Sequence, residues 1–423
     1  MFSTFKNIFK VKELRKKVLF VLAMMMVYRL GAHIPVPGVD VGVIQDTLFQ
    51  GSGSGVLDYL DMFAGGALRN FTIFAMSITP YITASIILNL LTVVIPKLEE
   101  LSKQGAEGRK KIAQYTRYGT IVLAVIQGIG ITSYINRFGA IPNPTFFDLF
   151  IIVVTLTAGT AFLMWLGEQI NEKGIGNGIS IIIFTSIISR FPGQIYNTYN
   201  LFQAGSISIL NILLFVALAV IIVAGIIFVQ EGERRIPVQY SKRIVGRKVY
   251  GGRSTHIPMK VNQAGVIPVI FASSVLLFPG VIAQVLPFDW AQNIAAMIQP
   301  GSTLYLILYA LMILFFTYFY TAITFNPEEV AENMQKNGGF IPGIRPGKAT
   351  INYLDKILVR VTLAGAVFLT IVALLPFAMG PLTGVQIQFG GTSVLIMTGV
   401  ALQTMQQIES HLLMRHYEGF MKS

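Results

Sequence analysis

The sequence predicts an all-α polytopic membrane protein with ten transmembrane helices. Three observations predict it. The 423 residues are 53% hydrophobic and only 12% charged, where a soluble domain carries about 25% charged residues. Apolar runs of bilayer length recur from one end of the chain to the other, and the cations are segregated between alternate connecting segments. Mean hydropathy is +0.65. No stretch is left long enough for a separate water-soluble core, so the chain reads as one integral-membrane unit.

A bilayer core requires roughly 20 mostly apolar residues per helix. Ten runs meet this in order: residues 18–34, 71–95, 118–135, 149–166, 178–196, 209–229, 265–286, 304–325, 357–375 and 393–408. The fifth is interrupted by Arg190 and Pro192. Residues 1–17 form an amphipathic N-terminal segment with six cations, Lys6, Lys10, Lys12, Arg15, Lys16 and Lys17. No small-residue cleavage site follows the first run, which therefore reads as an uncleaved span. Lys and Arg accumulate on the cytoplasmic side of membrane proteins. With the N-terminus inside, 28 of the 32 cations fall on inside segments, while Arg29, Arg69, Arg137 and Arg190 lie outside or near the outer ends. A shift by one span destroys this asymmetry. Both termini, including the tail 411–423, are thus expected in the cytoplasm.

An internal repeat bears on mechanism. Span two contains Pro80-Tyr81-Ile82-Thr83-Ala84-Ser85 and span seven contains Pro268-Val269-Ile270-Phe271-Ala272-Ser273, which share P-x-I-x-A-S. They lie five spans apart, and five is odd, so a duplicated half inserts upside down and places a pathway at the interface of the halves. Between spans one and two, residues 35–70 are too polar and glycine-rich to span. Here Gly51-Ser52-Gly53-Ser54-Gly55 reads as a flexible linker, and Leu57, Leu60 and Phe63 then recur at helical spacing. Such a short half-apolar helix can seat in a cavity and leave it, or lie as a re-entrant or surface segment; periodicity does not choose between these.

Catalytic signatures are absent. There is no H-E-x-x-H, no G-x-S-x-G and no cysteine, and only four histidines. Gly343-Ile344-Arg345-Pro346-Gly347-Lys348 imitates a phosphate loop, but the spacing is one residue short and Ala349 stands where Ser or Thr would hold magnesium. Gly174-Ile175-Gly176-Asn177-Gly178 lacks the third glycine of the dinucleotide fingerprint and reads as a turn opening span five. Coupled transporters bury Asp, Glu or His to hold their ion, and no Asp or Glu lies well inside any span. A passive pathway fits better than a pump, a secondary transporter or an intramembrane enzyme. The two long inside loops, 230–262 and 325–355, interleave Arg and Lys with Tyr240, Tyr250, Pro237 and Pro258. These are ordered docking surfaces suited to phosphate-rich RNA or an acidic protein.

Several segments carry a family resemblance. Gly65-Gly66-Ala67, the motif from Pro80 to Ser85, Gly108-Arg109-Lys110-Lys111-Ile112-Ala113-Gln114-Tyr115-Thr116-Arg117-Tyr118-Gly119 and Trp165-Leu166-Gly167-Glu168-Gln169-Ile170 are similar to the SecY family of bacterial protein-conducting channels. So are Gly174 to Ser180, Ser254-Thr255-His256, Val266-Ile267-Pro268, Phe325-Asn326-Pro327, Pro342 to Gly347 and Gly390-Gly391-Thr392-Ser393. The resemblance implies two inverted five-helix halves, 18–196 and 209–410, forming a clamshell hinged at the external loop 197–208. It implies a re-entrant plug helix at about 57–67, with Leu57, Leu60, Phe63, Gly65 and Gly66, closing an hourglass pore. Its apolar ring falls on Ile78, Ile82, Ile179, Ile183, Ile270 and Ile396. Spans two and seven, with Pro80, Thr83, Ser85, Pro268 and Ser273, would form a lateral gate through which signal sequences and membrane segments enter lipid. Arg345, and the pair Arg247 and Lys248, correspond to contacts with the motor protein SecA and the ribosome. The implied partners are SecE, SecG, SecA, the ribosome and unfolded precursor proteins; no cofactor or metal is implied, ATP hydrolysis resides in SecA, and the setting is the bacterial plasma membrane.

The charge asymmetry alone generates a topology test. Reporter fusions after Phe49, Asn143, Asn200, Asp289 and Val385 are expected to report outside, and fusions after Gln104, Lys173, Arg247, Lys336 and Lys422 inside. Two or more loops of swapped sign would overturn the ten-span reading.

Overall fold

In lipid every backbone polar group must be satisfied within the protein, so a spanning chain is either helical or a closed barrel. The structure, a computed structural model, describes residues 11–49, 55–142, 144–240, 243–245, 248–250, 254–285, 297–299, 301–383 and 391–421, and it is mainly helical. The N-terminal half runs α1 (Lys12–Gly31), α2 (Val41–Leu48), α3 (Gly55–Ala64), α4 (Thr79–Val94), α5 (Pro96–Lys103), α6 (Ala106–Arg137), α7 (Phe146–Lys173), α8 (Gly178–Ser189) and α9 (Phe191–Gln203). The C-terminal half runs α10 (Ile209–Glu231), β1 (Glu233–Tyr240), β2 (Arg243–Val245), β3 (Lys248–Tyr250), β4 (Ser254–Lys260), α11 (Ile267–Val285), α12 (Thr303–Thr324), α13 (Pro327–Lys336), β5 (Gly339–Phe340), α14 (Lys348–Thr383) and α15 (Gly391–Met421).

Each of the ten expected spans coincides with a helix. Among the described residues, α6, α7, the α8–α9 run, α10, the α12–α13 run and α14 are long and apolar enough to cross a membrane. The α4–α5 pair, bent by 100°, makes a seventh. Helix ends follow local chemistry. Thr145 and Asp148 form a reciprocal capping box at the start of α7. Asn177 caps α8 by accepting from the amide of Ser180 at 3.2 Å.

The packing repeats. In the first half α1 contacts α7 and α8, α4 contacts α6, α6 contacts α7, and α7 contacts α8. In the second, α10 contacts α14 and α15, α11 contacts α12, α12 contacts α14, and α14 contacts α15. Shifting the first set by five spans gives the second. The shared P-x-I-x-A-S segments occupy the same local position, with Pro80 and Pro268 each the second residue of its helix, where a missing amide costs nothing. The halves meet where α4 and α6 touch α11 and where α8 touches α15.

Three expectations are corrected. Span two does not begin as a helix at residue 71; α4 starts at Thr79, and residues 65–78 form buried irregular backbone in which Phe71 (φ 39°) and Ser77 (φ 51°) adopt left-handed conformations. The hinge loop 197–208 is largely helical, because α9 continues to Gln203 and stops where Gly205 turns left-handed at φ 71°; five connecting residues, 204–208, remain. The cytoplasmic loops also add strands to a chain expected to be all-α. β1 pairs antiparallel with β4 and with β5, and Ile236 and Val238 alternate inward along β1. They pack with Met259, Ala331, Met334, Ile341, Leu354 and Leu358 in a core separate from the membrane core.

The irregular segment is gripped closely. Tyr28, Phe74 and Phe162 stack at successive ring separations of 5.9 Å, joining α1, the segment and α7. A Cβ on Gly159 would lie 1.8 Å from the carbonyl oxygen of Ile73, and one on Gly193 in α9 would meet nothing within 4 Å. Gly159→Ala is therefore expected to destabilise by about 1–3 kcal/mol through overpacking, whereas Gly193→Ala leaves stability unchanged or raises it by under about 1 kcal/mol. Thermal unfolding in detergent checks this; equal melting temperatures would mean that α7 does not press on the segment.

Candidate functional site

The site lies where the two halves meet. Five of the six expected ring residues are buried in one continuous apolar core: Ile78, Ile82, Ile183, Ile270 and Ile396. Ile78 immediately precedes α4, and the amide of Ile82 donates to its carbonyl at 3.1 Å, so the two sit one turn apart. Ile183 lies in the second turn of α8, Ile270 in the first of α11 and Ile396 in the second of α15. Ile179 is placed differently. It is half-buried, packs against the same core, and its Cδ1 lies where a Cβ on Gly167 of α7 would come within 2.7 Å. Four elements, two from each half, thus bring branched alkyl groups to the junction.

Against this junction sits α3, which contacts α8 and α11. Met62, Phe63 and Ala64 are buried and Leu60 is partly buried in the shared core; the side chain of Leu57 lies outside the described residues. The last carbonyls of a helix have no partner within it. In α3 they are taken up by neighbouring elements. Ser77 donates to Phe63 O at 3.1 Å, Tyr28 to Ala64 O at 3.0 Å and Arg29 to Gly65 O at 3.1 Å. Tyr28 also shares a 2.5 Å hydrogen bond with Ser186 of α8. From the other half, Ser393 donates to the sulfur of Met62 at 2.9 Å. Gly65 (φ 65°) ends the helix against α8, where a Cβ would approach Ser186 Cα to 2.9 Å. Gly66 (φ 89°) continues the reversal without crowding.

Sequence reasoning missed the charge pair here. Asp61, fully buried, faces Arg190 at 3.3 Å, and its Oδ1 accepts from the amides of Leu68 at 3.1 Å and Arg69 at 3.0 Å. Burial pushes the Asp61 carboxyl above the usual carboxylate range, opposed by Arg190 and the amide of Arg69. The available signal was the arginine interrupting span five. A cation in an apolar run calls for a partner, and Asp61 lies in the adjoining half-apolar segment.

Of the expected gate residues, Pro80 and Pro268 are buried, Ser273 is fully buried and donates to Ile270 O at 2.9 Å, and Thr83 and Ser85 are partly buried. They lie on α4 and α11, which touch. Arg345 is exposed between Gly343 (φ 82°) and Gly347 (φ 97°), its carbonyl accepting from Thr350 at 2.9 Å. Its neighbour Ile344 packs on the separate core of the sheet. Arg247 lies outside the described residues, as does the side chain of Lys248, whose backbone opens β3. The glycine-rich turn before α8 links the halves, with the amide of Gly176 donating to Gln407 of α15 at 2.7 Å.

Comparison with known proteins agrees with this architecture. The SecY protein translocase subunit of Halalkalibacterium halodurans is 51% identical, covering 100% of both chains. Among solved structures, a SecY channel described as having a plug domain that stabilises the closed state and maintains a membrane seal matches with TM-score 0.68 and 18% identity over 94% of this chain and 92% of that one. Sec61 from a canine ribosome-channel complex matches with TM-score 0.64 and 17% identity over 94% and 92%. The SecY family model matches residues 72–405, and the chain belongs to the SecY family.

Proposed function

We propose that this chain is the channel subunit through which unfolded secretory polypeptides cross the bacterial plasma membrane, and from which membrane segments pass sideways into lipid. The observation that carries the reading is the convergence of isoleucines from four helices at the junction of two repeated halves, with α3 seated against it. Branched alkyl groups offer a passing ion no hydrogen bonds, and a narrow apolar neck excludes water. The same side chains can move aside around an extended polypeptide. Ile78, Ile82, Ile183, Ile270 and Ile396 form the neck, with Ile179 at its edge. Leu57, Leu60, Phe63, Gly65 and Gly66 belong to the plug, and the α4–α11 seam, with Pro80, Thr83, Ser85, Pro268 and Ser273, is the lateral gate.

No residue of the neck performs chemistry, so energy comes from partners. SecA hydrolyses ATP, or a translating ribosome pushes, with SecE and SecG completing the unit and both termini in the cytoplasm. The sheet and α13 form the platform for these contacts, with Arg345, Arg247 and Lys248 as contact residues. Arg345 is held on a turn between two left-handed glycines and beside a packed isoleucine, so docking freezes little extra motion. Its planar fork suits a carboxylate or a carbonyl pair better than a lysine does.

Deleting residues 57–67, or replacing Ile82 and Ile183 with Gly, is expected to raise resting ion conductance in reconstituted vesicles. Unchanged conductance in both would remove these residues from the pore. For the motor contact, Arg345→Glu is expected to abolish ATP-dependent precursor import by vesicles containing SecE and supplied with SecA, and Arg345→Lys to reduce it. Native import by Arg345→Glu, normalised to channel content, would sink that contact and leave the channel reading intact.

A further inference from the structure

The buried Asp61–Arg190 pair has a geometry that a purely apolar plug would not need. Asp61 is 0% exposed and Arg190 16%. Oδ1 of Asp61 is engaged by two backbone amides of the turn that follows α3, which fixes the carboxylate relative to that turn. Oδ2 faces Arg190 across 3.3 Å, yet neither Oδ2 nor Arg190 Nη1 makes a well-formed hydrogen bond among the described residues. Arg190 sits at the junction of α8 and α9, with helical backbone (φ −87°, ψ −15°), in the run that leads to the connection between the halves. The pair therefore ties α3 to the outer end of span five.

A buried ion pair with incomplete hydrogen bonding gives little net stabilisation, because desolvation cancels most of the attraction. Its effects on change are asymmetric. Removing one partner strands a buried charge and is strongly unfavourable, whereas replacing both with apolar groups is neutral or stabilising. When α3 leaves its seat, both charges are rehydrated and recover the hydration lost on burial. Tyr28, Ser77, Arg29 and Ser393 also hold α3 and its end, without that asymmetry.

Resting on the reading of α3 as the plug, we propose that Asp61 and Arg190 are positioning residues that form a release latch, holding the plug in one register while keeping the cost of unseating it low. Two consequences separate a latch from a simple stabilising bridge. Asp61→Asn and Arg190→Gln each loosen the plug. Asp61→Asn combined with Arg190→Met removes both charges while keeping an oxygen for the amides of Leu68 and Arg69, and so seats the plug more firmly and slows opening.

The test uses the full chain reconstituted with SecE in vesicles, reading resting anion flux and SecA-driven import. Each single variant is expected to raise resting flux by about tenfold or more. The Asp61→Asn/Arg190→Met variant is expected to show flux at or below native and import slowed severalfold. The natural chain has no cysteine, so Met62→Cys with Ser393→Cys, at a pair whose polar atoms lie 2.9 Å apart, can cross-link the plug. Oxidation is expected to close the leak of Asp61→Asn, which shows that the variant is folded and that the leak runs past the plug. Deleting residues 57–67 serves as the reference. If the deletion leaks while both single variants match native flux, or if the Asp61→Asn/Arg190→Met variant leaks as they do or imports at native speed, the latch is overturned. If the deletion itself does not leak, the plug reading fails instead.

Discussion

Residues 65–78 are non-helical backbone buried in a membrane protein, and satisfying them is the constraint on which the rest of the site depends. Irregular backbone is tolerated at membrane depth only where protein covers it. Here Val36 donates to Phe71 O and Ile73 to Ile34 O, at 2.9 and 3.0 Å, pairing the segment with the strand-like end of span one. Asp61 takes the amides of Leu68 and Arg69. Gly159 in α7 is small enough for Ile73 to come within reach. With these contacts made, the chain ends α3 at Gly65, turns, and presents Ile78 and Ile82 at the start of α4. The end of α3 and the pair Ile78 and Ile82 are thus two ends of one supported interruption.

Duplication explains why the junction is apolar and central. Each half reproduces the same set of helix contacts, so equivalent helices α4 and α11 arrive at the interface from opposite sides with Pro80 and Pro268 at the same local position. The halves then diverge by insertion. The first carries α3 between its opening spans, and the second carries strands β1, β4 and β5 with their separate core. The repeated part brings the isoleucines of α4, α8, α11 and α15 to the junction.

Much of this was legible in the sequence because lipid imposes simple rules. Span positions follow from apolar length, and the sequence spacing of the two P-x-I-x-A-S segments already pointed to paired halves. Boundaries failed where side chains rather than hydropathy decide them. Residues 71–78 are as apolar as a span, yet contacts of Phe74 with α1 and α7 and of Ser77 with α3, with backbone bonds to residues 34 and 36, hold them out of helix. The family resemblance implies an external loop from residue 197, yet the helix runs on to Gln203, with local bonds such as Thr198 to Gln194 O and Gln203 to Tyr199 along it. The role of Arg190 was visible as an anomaly without its answer, since a charge pair between a span and a re-entrant segment has no periodicity to betray it. The inward alternation of Ile236 and Val238 is a strand signal that a hydropathy reading of loops passes over.

The seam between the halves has the physical character of something that parts. Where α4 and α11 touch, the buried residues those helices carry include Ile82, Ala84 and Ile86 on one and Val269, Ile270 and Ala272 on the other. In water such a surface would hold by the hydrophobic effect, but in a bilayer lipid tails are as apolar as the side chains they replace, so only packing and hydrogen bonds resist separation. Among the described residues, polar links across the halves are found away from this seam, at Gly176 to Gln407 and at Ser393 to Met62 of α3. Opening α4 from α11 therefore breaks contacts that lipid or an apolar peptide helix can replace, while the α8–α15 side stays joined. That difference gives the two sides of the interface unequal costs of opening, and it directs any widening toward the lipid-facing seam.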